Sequence, residues 1–194
     1  MRLGLYGGSF DPVHRGHLEA AERAIRELRL DRLLWLPAGD PPHKRRRLTS
    51  PAHRVRMLEL ALTGRPRMAV CEAELTRPGP TYTVDTLRAF ERLLPAAELH
   101  FLIGADSLLD LPAWREPGEL LRHRIVVVPR PGFDLDSIPP ALRRRVRLLS
   151  GPRNAVASRD LRARLASGRD PGDLVPPAVA AYIRLHRLYR RPAA

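Results

Sequence analysis

The chain has 194 residues, enough for one domain with a full core, and sets 34 Lys and Arg against 21 Asp and Glu for a formal charge of +13. A 44% hydrophobic content excludes a disordered composition, and only 5% aromatics leaves the core to Leu, Val, Ile and Ala. One cysteine, Cys71, excludes an internal disulfide and a cysteine-rich zinc site, and no run approaches the ~18 apolar residues of a membrane span. The basic excess favours an anionic ligand without choosing among nucleic acid, acidic membrane and phosphorylated metabolite, and part of it reads as solvated surface. A strand-like opening without a basic-then-apolar leader, together with the single thiol, is expected of a cytoplasmic protein.

In chain order, short apolar runs at 3–6, 33–36, 68–70, 99–103, 125–128 and 146–149 read as buried strands. Between the first two, Leu18, Ala21, Ala24, Ile25 and Leu28 have helical spacing, and Val55, Leu58, Ala61 and Leu62 repeat it before the third. Further helices are expected at 84–94, 158–166 and 177–188, the last opened by proline. This alternation predicts an α/β fold with a parallel sheet covered by helices on both faces and ligands beyond the carboxyl ends of the strands. Proline-rich loops at 37–51, 112–117 and 129–140 are too short to divide the chain, so residues 1–194 are read as a single domain.

The densest signal is Gly7-Gly8-Ser9-Phe10-Asp11-Pro12-Val13-His14-Arg15-Gly16-His17, which leaves the first strand and enters the first helix. Paired glycines permit positive φ and close backbone approach, and a helix start offers unpaired N–H groups and a positive dipole end, which together suit a phosphate. His14 and His17, three apart, share a face once the helix has begun and could donate hydrogen bonds to a phosphate chain. Glu19 does not complete a His-Glu-x-x-His set, so a zinc-protease site is disfavoured, and no metal-ligating protein residues are assigned. Gly-Gly-Ser-Phe-Asp is not a nucleophile elbow, which disfavours Ser9 as a nucleophile, and neither a Walker A sequence nor a Gly-x-Gly-x-x-Gly fingerprint is present.

This eleven-residue stretch resembles the signature of nucleotidylyltransferases with a His/Thr-x-Gly-His motif. Within that superfamily, three further segments resemble the bacterial nicotinate mononucleotide adenylyltransferases. They are Pro37-Ala38-Gly39-Asp40-Pro41-Pro42-His43-Lys44, Thr81-Tyr82-Thr83-Val84-Asp85-Thr86-Leu87, and Ile103-Gly104-Ala105-Asp106-Ser107-Leu108 with Leu111-Pro112-x-Trp114. The resemblance implies a Rossmann-like fold and transfer of AMP from ATP, with Mg²⁺, to nicotinate mononucleotide. It implies catalytic roles for His14, His17 and Arg162, and an ATP site formed by Gly7, Gly8, Ser9, Phe10, His14, Gly16, His17, Gly104, Asp106, Ser158 and Arg162. The mononucleotide falls to Ser9, Lys44, Tyr82, Thr83, Asp106, Trp114 and Arg130, and the C-terminal helices from about 156 are expected to close over the ATP site.

The residues leave several roles open. Lys44 either reaches a substrate phosphate or belongs to an exposed basic loop with Arg45, Arg46 and Arg47. Trp114 either stacks on a pyridine ring or packs, Asp106 either binds ribose hydroxyls or helps position Mg²⁺, and Arg130 ends a strand where it could pair with a phosphate. One departure stands out: Val156-Ala157-Ser158-Arg159-Asp160-Leu161-Arg162 replaces the usual Ile-Ser-Ser/Ala-Thr-x-Ile-Arg, keeping Ser158 and Arg162 in character. Arg159, where threonine is usual, supplies charge or points to solvent. Pantetheine-phosphate adenylyltransferases share the first motif but usually place Thr where His14 stands and are shorter. A nicotinamide mononucleotide preference is a second rival. A nucleic-acid-binding protein is disfavoured by the lack of aromatic-rich motifs. The expected partners are therefore small molecules, ATP and nicotinate mononucleotide, not nucleic acid or membrane, with homo-oligomerisation left open.

Overall fold

The structure is a computed structural model that describes residues 1–39, 48–129, 133–151 and 156–190. Six strands, β1 (Arg2–Gly8), β2 (Arg32–Pro37), β3 (Met68–Val70), β4 (Glu98–Gly104), β5 (Arg124–Val128) and β6 (Arg147–Leu148), form one sheet in the order β3-β2-β1-β4-β5-β6. Every pairing is parallel, so each connection crosses over a face, and helices fill most crossings. These are α1 (Arg15–Glu27), α2 (Pro51–Leu62), α3 (Thr83–Leu93), α4 (Ala105–Asp110), α5 (Pro117–Leu120), α6 (Pro140–Arg143), α7 (Ser158–Ala166) and α8 (Pro177–Leu185). Strand alternation sorts the core into two clusters. Tyr6, Leu33, Trp35, Leu102 and Val126 meet apolar residues of α1, α2, α7 and α8, whereas Leu3, Leu5, Phe101, Ile103 and Val127 meet those of α3, α4, α5 and α6. The expected α/β sheet with helices on both faces is the fold observed.

Local chemistry explains the helix starts. Ser50 caps α2 by accepting the His53 N–H, with Pro51 in the first turn. Pro177 opens α8, whose Val179, Ala180 and Ile183 face the core. Two boundaries differ from the periodicity. Residues 105–110, where the periodicity marks no element, form α4, because two buried positions, Ala105 and Leu108, are too few to show a helical period. The last helix ends at Leu185, not 188, since Arg187 and Tyr189 take left-handed backbone with φ of 50° and 64°. That reversal turns Tyr189 back toward the first motif.

At the sheet end opposite the glycine-rich loop, Glu98 gathers Arg2 (3.3 Å), His100 (3.0 Å) and Arg124 (3.4 Å). Burial holds the His100 imidazole below its ordinary pKa, opposed by the neighbouring Glu98 carboxylate. The folded state thus keeps the ring neutral while the unfolded chain binds the proton. This contribution to stability is intact above about pH 6.5 and fades as pH falls through the lowered folded value. Urea titrations between pH 8 and 5 should show stability dropping below that point, and His100→Asn should flatten the drop.

Candidate active site

β1 and β4 are neighbours, in register from Arg2 opposite Glu98 to Tyr6 opposite Leu102, but their exits diverge. The chain leaves β1 for α1 on one face and leaves β4 for α4 on the other. Such a reversal opens a crevice beyond the strand ends, where ligands bind in sheets of this kind.

The glycine pair ends β1, and its role differs in part from the expectation. Neither Gly7 nor Gly8 has positive φ; the left-handed residue is Phe10, with φ 45°. The glycines are needed for space: a Cβ on Gly7 would lie 2.8 Å from the Phe101 ring, and one on Gly8 would lie 2.9 Å from the Phe10 ring. Phe10 is 1% exposed and packs edge-on to Tyr6 (5.3 Å) and His17 (5.2 Å). Its side chain is a core wedge, which leaves its backbone as the part able to face a ligand.

The two histidines cap each other. His14 is the extended N-cap of α1, and its Nδ1 accepts the His17 N–H (3.4 Å), while the His17 Nδ1 accepts the His14 N–H (3.3 Å). Because each Nδ1 is an acceptor, each neutral ring carries its hydrogen on Nε2. The rings stack, centroids 3.6 Å apart, so two N–H donors stand side by side at the positive end of α1. A Cβ on Gly16 would sit 3.2 Å from the His14 Nδ1 and press on that ring.

Buried and half-buried polar groups hold the loop that precedes this pair. Arg54 of α2, 1% exposed, donates to three carbonyls, those of Thr49 (2.9 Å), Ser9 (3.1 Å) and Ala38 (2.9 Å), joining the exits of β1 and β2. Asp11, fully buried, accepts from the Thr49 N–H (3.3 Å) and the Tyr189 hydroxyl (2.6 Å). Burial, then the Asp11 charge, push the Tyr189 phenol far above its usual range, keeping it a donor. From α7, Arg162 donates to the Asp11 carbonyl (2.6 Å) and Ser158 to the Pro12 carbonyl (3.3 Å). Arg159 is exposed beside Asp160, 3.5 Å from its carboxylate.

Beyond the end of β4 lies a cleft of about 500 Å³ between Thr81, Tyr82, Thr83 and the segment with Ala113, Trp114 and Arg115. A narrower crevice containing Thr81, Thr83 and Trp114 continues it to Gly7, Gly8 and Ser9. Trp114 and Thr83 therefore border one continuous space with the glycine pair. Glu74 lines its inner part and is 8% exposed; desolvation raises its pKa against the Thr86 hydroxyl bond (3.0 Å), the Arg77 charge and the Gly39 N–H. Gly104 caps α4, and Asp106 is exposed in its first turn beside Ser107, which lines the crevice. Lys44 and Arg130 lie outside the described residues.

Arg54 and Glu74 were not singled out from the sequence, and Thr81 and Ser107 were given no site role within the segments that contain them. Arg54 did leave a signal, since it stands in helical register with Leu58 and Ala61, a charge on an apolar stripe. Replacing Arg54 with Met should strand the Ser9 and Ala38 carbonyls and cost roughly 2–5 kcal/mol of stability, measured by denaturant unfolding. Arg54→Lys should recover part of it, because an ammonium lacks the planar fork that spans three carbonyls.

Residues 5–164 match the model of the cytidylyltransferase-like family. A Thermomicrobium roseum protein named "Probable nicotinate-nucleotide adenylyltransferase" is 47% identical over 97% of this chain and 92% of its own length. A Thermus thermophilus protein of the same name is 46% identical over 98% of this chain and all of its own length. In fold, the chain is similar to a Plasmodium falciparum nicotinic acid mononucleotide adenylyltransferase complexed with NaAD, with TM-score 0.82, 21% identity and 97% of both chains covered. Its sheet order, its capped histidine pair and these relatives agree: the chain belongs to the nicotinate-nucleotide adenylyltransferases, within the cytidylyltransferase-like family.

Proposed function

We propose that the protein transfers AMP from ATP to nicotinate mononucleotide, giving nicotinate adenine dinucleotide and pyrophosphate, a step of NAD biosynthesis. The observation that carries this reading is the reciprocal cap: two imidazoles with Nδ1 engaged and hydrogen on Nε2, stacked at a helix start. The same crevice runs from the glycine pair to a pocket walled by Trp114. A nucleotide triphosphate fits the first, and an aromatic ring attached to a phosphate fits the second.

In this reading a phosphate oxygen of the mononucleotide attacks the α-phosphorus in line, and the bond to the departing pyrophosphate breaks. The attacking oxygen is already anionic at neutral pH, so no enzyme base or nucleophile is required, and catalysis falls to alignment and charge stabilisation. His14 and His17 donate from Nε2 to the phosphates, joined by the N–H groups at the start of α1. Ser158 and Arg162 hold α7 against the loop, and we assign α7 and α8 as the cover of the triphosphate side. Mg²⁺ enters as part of the MgATP co-substrate and neutralises phosphate charge; among the described residues no cluster of three acidic, His or Cys groups offers it a site. Asp106 serves the ribose hydroxyls or that ion. Among the described residues no helix is long and apolar enough to cross a membrane, and the reading assigns the reaction to the cytoplasm, where ATP is held.

Mass spectrometry of reactions with MgATP and each of nicotinate mononucleotide, nicotinamide mononucleotide and phosphopantetheine tests the assignment. The nicotinate acceptor should show the highest kcat/KM, and equal or better use of phosphopantetheine would overturn it. Replacing His17 with Ala should lower kcat by roughly 100-fold or more in a folded protein, since the lost donor acts in the transition state. His14→Ala should act similarly.

A further inference from the structure

The segment that resembles the adenylyltransferases ends at Trp114, and the next residue, Arg115, also lines the ring pocket. Its guanidinium carbon lies 4.8 Å from the centre of the Tyr82 ring, a cation–π contact that places the charge on the pocket's wall. Two acids stand near it, both beyond hydrogen-bond distance: Asp85 at 3.8 Å and Glu116 at 3.7 Å. Glu116 is committed elsewhere. Arg88 takes both its oxygens, at 3.1 and 2.6 Å, and that pairing holds the Glu116 carboxyl below its ordinary pKa. Among the described residues no hydrogen bond from the Arg115 guanidinium is present, although it carries five donors. Across the pocket, Thr81 is 6% exposed, lines both parts of the crevice, and its Oγ1 is buried with no hydrogen-bond partner among the described residues. Buried hydroxyls are ordinarily satisfied, and this one belongs to a residue that lines the crevice, where a ligand atom can reach it.

Resting on the adenylyltransferase reading, we propose that Arg115 and Thr81 read the substituent on the acceptor's ring. Arg115 selects a carboxylate over a neutral carboxamide, and Thr81 bonds either group. A planar guanidinium with uncommitted donors pairs with a carboxylate through two charge-assisted bonds, whereas a carboxamide offers it one neutral oxygen. The Thr81 hydroxyl can donate to an oxygen of either acceptor, so it contributes affinity without discrimination. The Arg115 side chain is 51% exposed, so solvent screens the effect and it should weaken as salt is raised.

The test measures kcat/KM for nicotinate and nicotinamide mononucleotide at saturating MgATP, with calorimetric titration of each acceptor as an independent readout. Arg115→Gln should lower the acid-to-amide ratio by about ten-fold, through the KM of the acid, leaving the KM of ATP unchanged. Arg115→Lys should restore part of the ratio by returning the charge. Thr81→Val should raise the KM of both acceptors by about five-fold at an unchanged ratio, while thermal stability holds or rises because an unbonded buried hydroxyl becomes a methyl. An unchanged ratio in Arg115→Gln, an equal loss for both acceptors, or unchanged KM values in Thr81→Val would overturn the proposal while leaving the adenylyltransferase reading intact. Failure of the unaltered protein to use either pyridine mononucleotide would instead remove that reading and this proposal with it.

Discussion

The structure depends on how the loop leaving β1 is pinned from beneath. Residues 9–12 must stand still if two imidazoles are to face a phosphate chain, yet a loop has no ladder of its own to satisfy its backbone. Buried and half-buried side chains from distant parts of the sequence do that work. Arg54 takes the Ser9 carbonyl, Arg162 the Asp11 carbonyl and Ser158 the Pro12 carbonyl. The Asp11 carboxylate is in turn held by Thr49 and Tyr189. Burying a guanidinium and a carboxylate is costly, and the cost is offset only when their hydrogen bonds are made, so the arrangement tolerates little displacement.

The same pinning explains how the segment after α8 meets the first motif. Tyr189 lies 178 residues from Asp11, and it arrives because α8 stops at Leu185 and the chain reverses through left-handed residues. The C-terminal elements therefore contribute to the rigidity of the first motif as well as to the apolar face formed by Val179 and Ile183. Local ordering of the phosphate loop and global folding are coupled through this bond together with those of Arg54, Arg162 and Ser158.

The basic composition has several uses, among them the ion pairs of Arg2 and Arg124 with Glu98 and of Arg88 with Glu116. Many arginines serve as cross-links to backbone carbonyls: Arg23 to Ser150, Arg67 to Leu30, Arg147 to Glu27, besides Arg54 and Arg162. A guanidinium suits this because its fixed fork meets several acceptors at once. Others, such as Arg159, sit in solvent. Net charge thus described the ligand's sign less directly than it described a structural habit, and Arg115, on the wall of the cleft, is informative by its place and not by its charge alone.

The sequence by itself determined what depends on neighbours in the chain. Apolar runs marked all six strands, and helical spacing marked α1 and α2, because burial on a sheet face or helix stripe imposes a period; helices were expected as well where α3, α7 and α8 form. The first motif was legible because a strand end, a glycine pair and a helix start must be contiguous to make the loop. The tertiary structure alone decided the contacts between distant segments. Arg54 and Ser9 lie 45 residues apart, and Glu74 reaches the crevice only through the crossing from β3 to α3. The expectation of positive φ at Gly7 or Gly8 failed for the same reason: what those positions require is space for the rings of Phe101 and Phe10. One of those rings comes from a strand more than 90 residues away, joined to β1 by the parallel pairing that brings Leu5 opposite Phe101. Periodicity records which face is buried; it does not record which distant side chain will occupy the space.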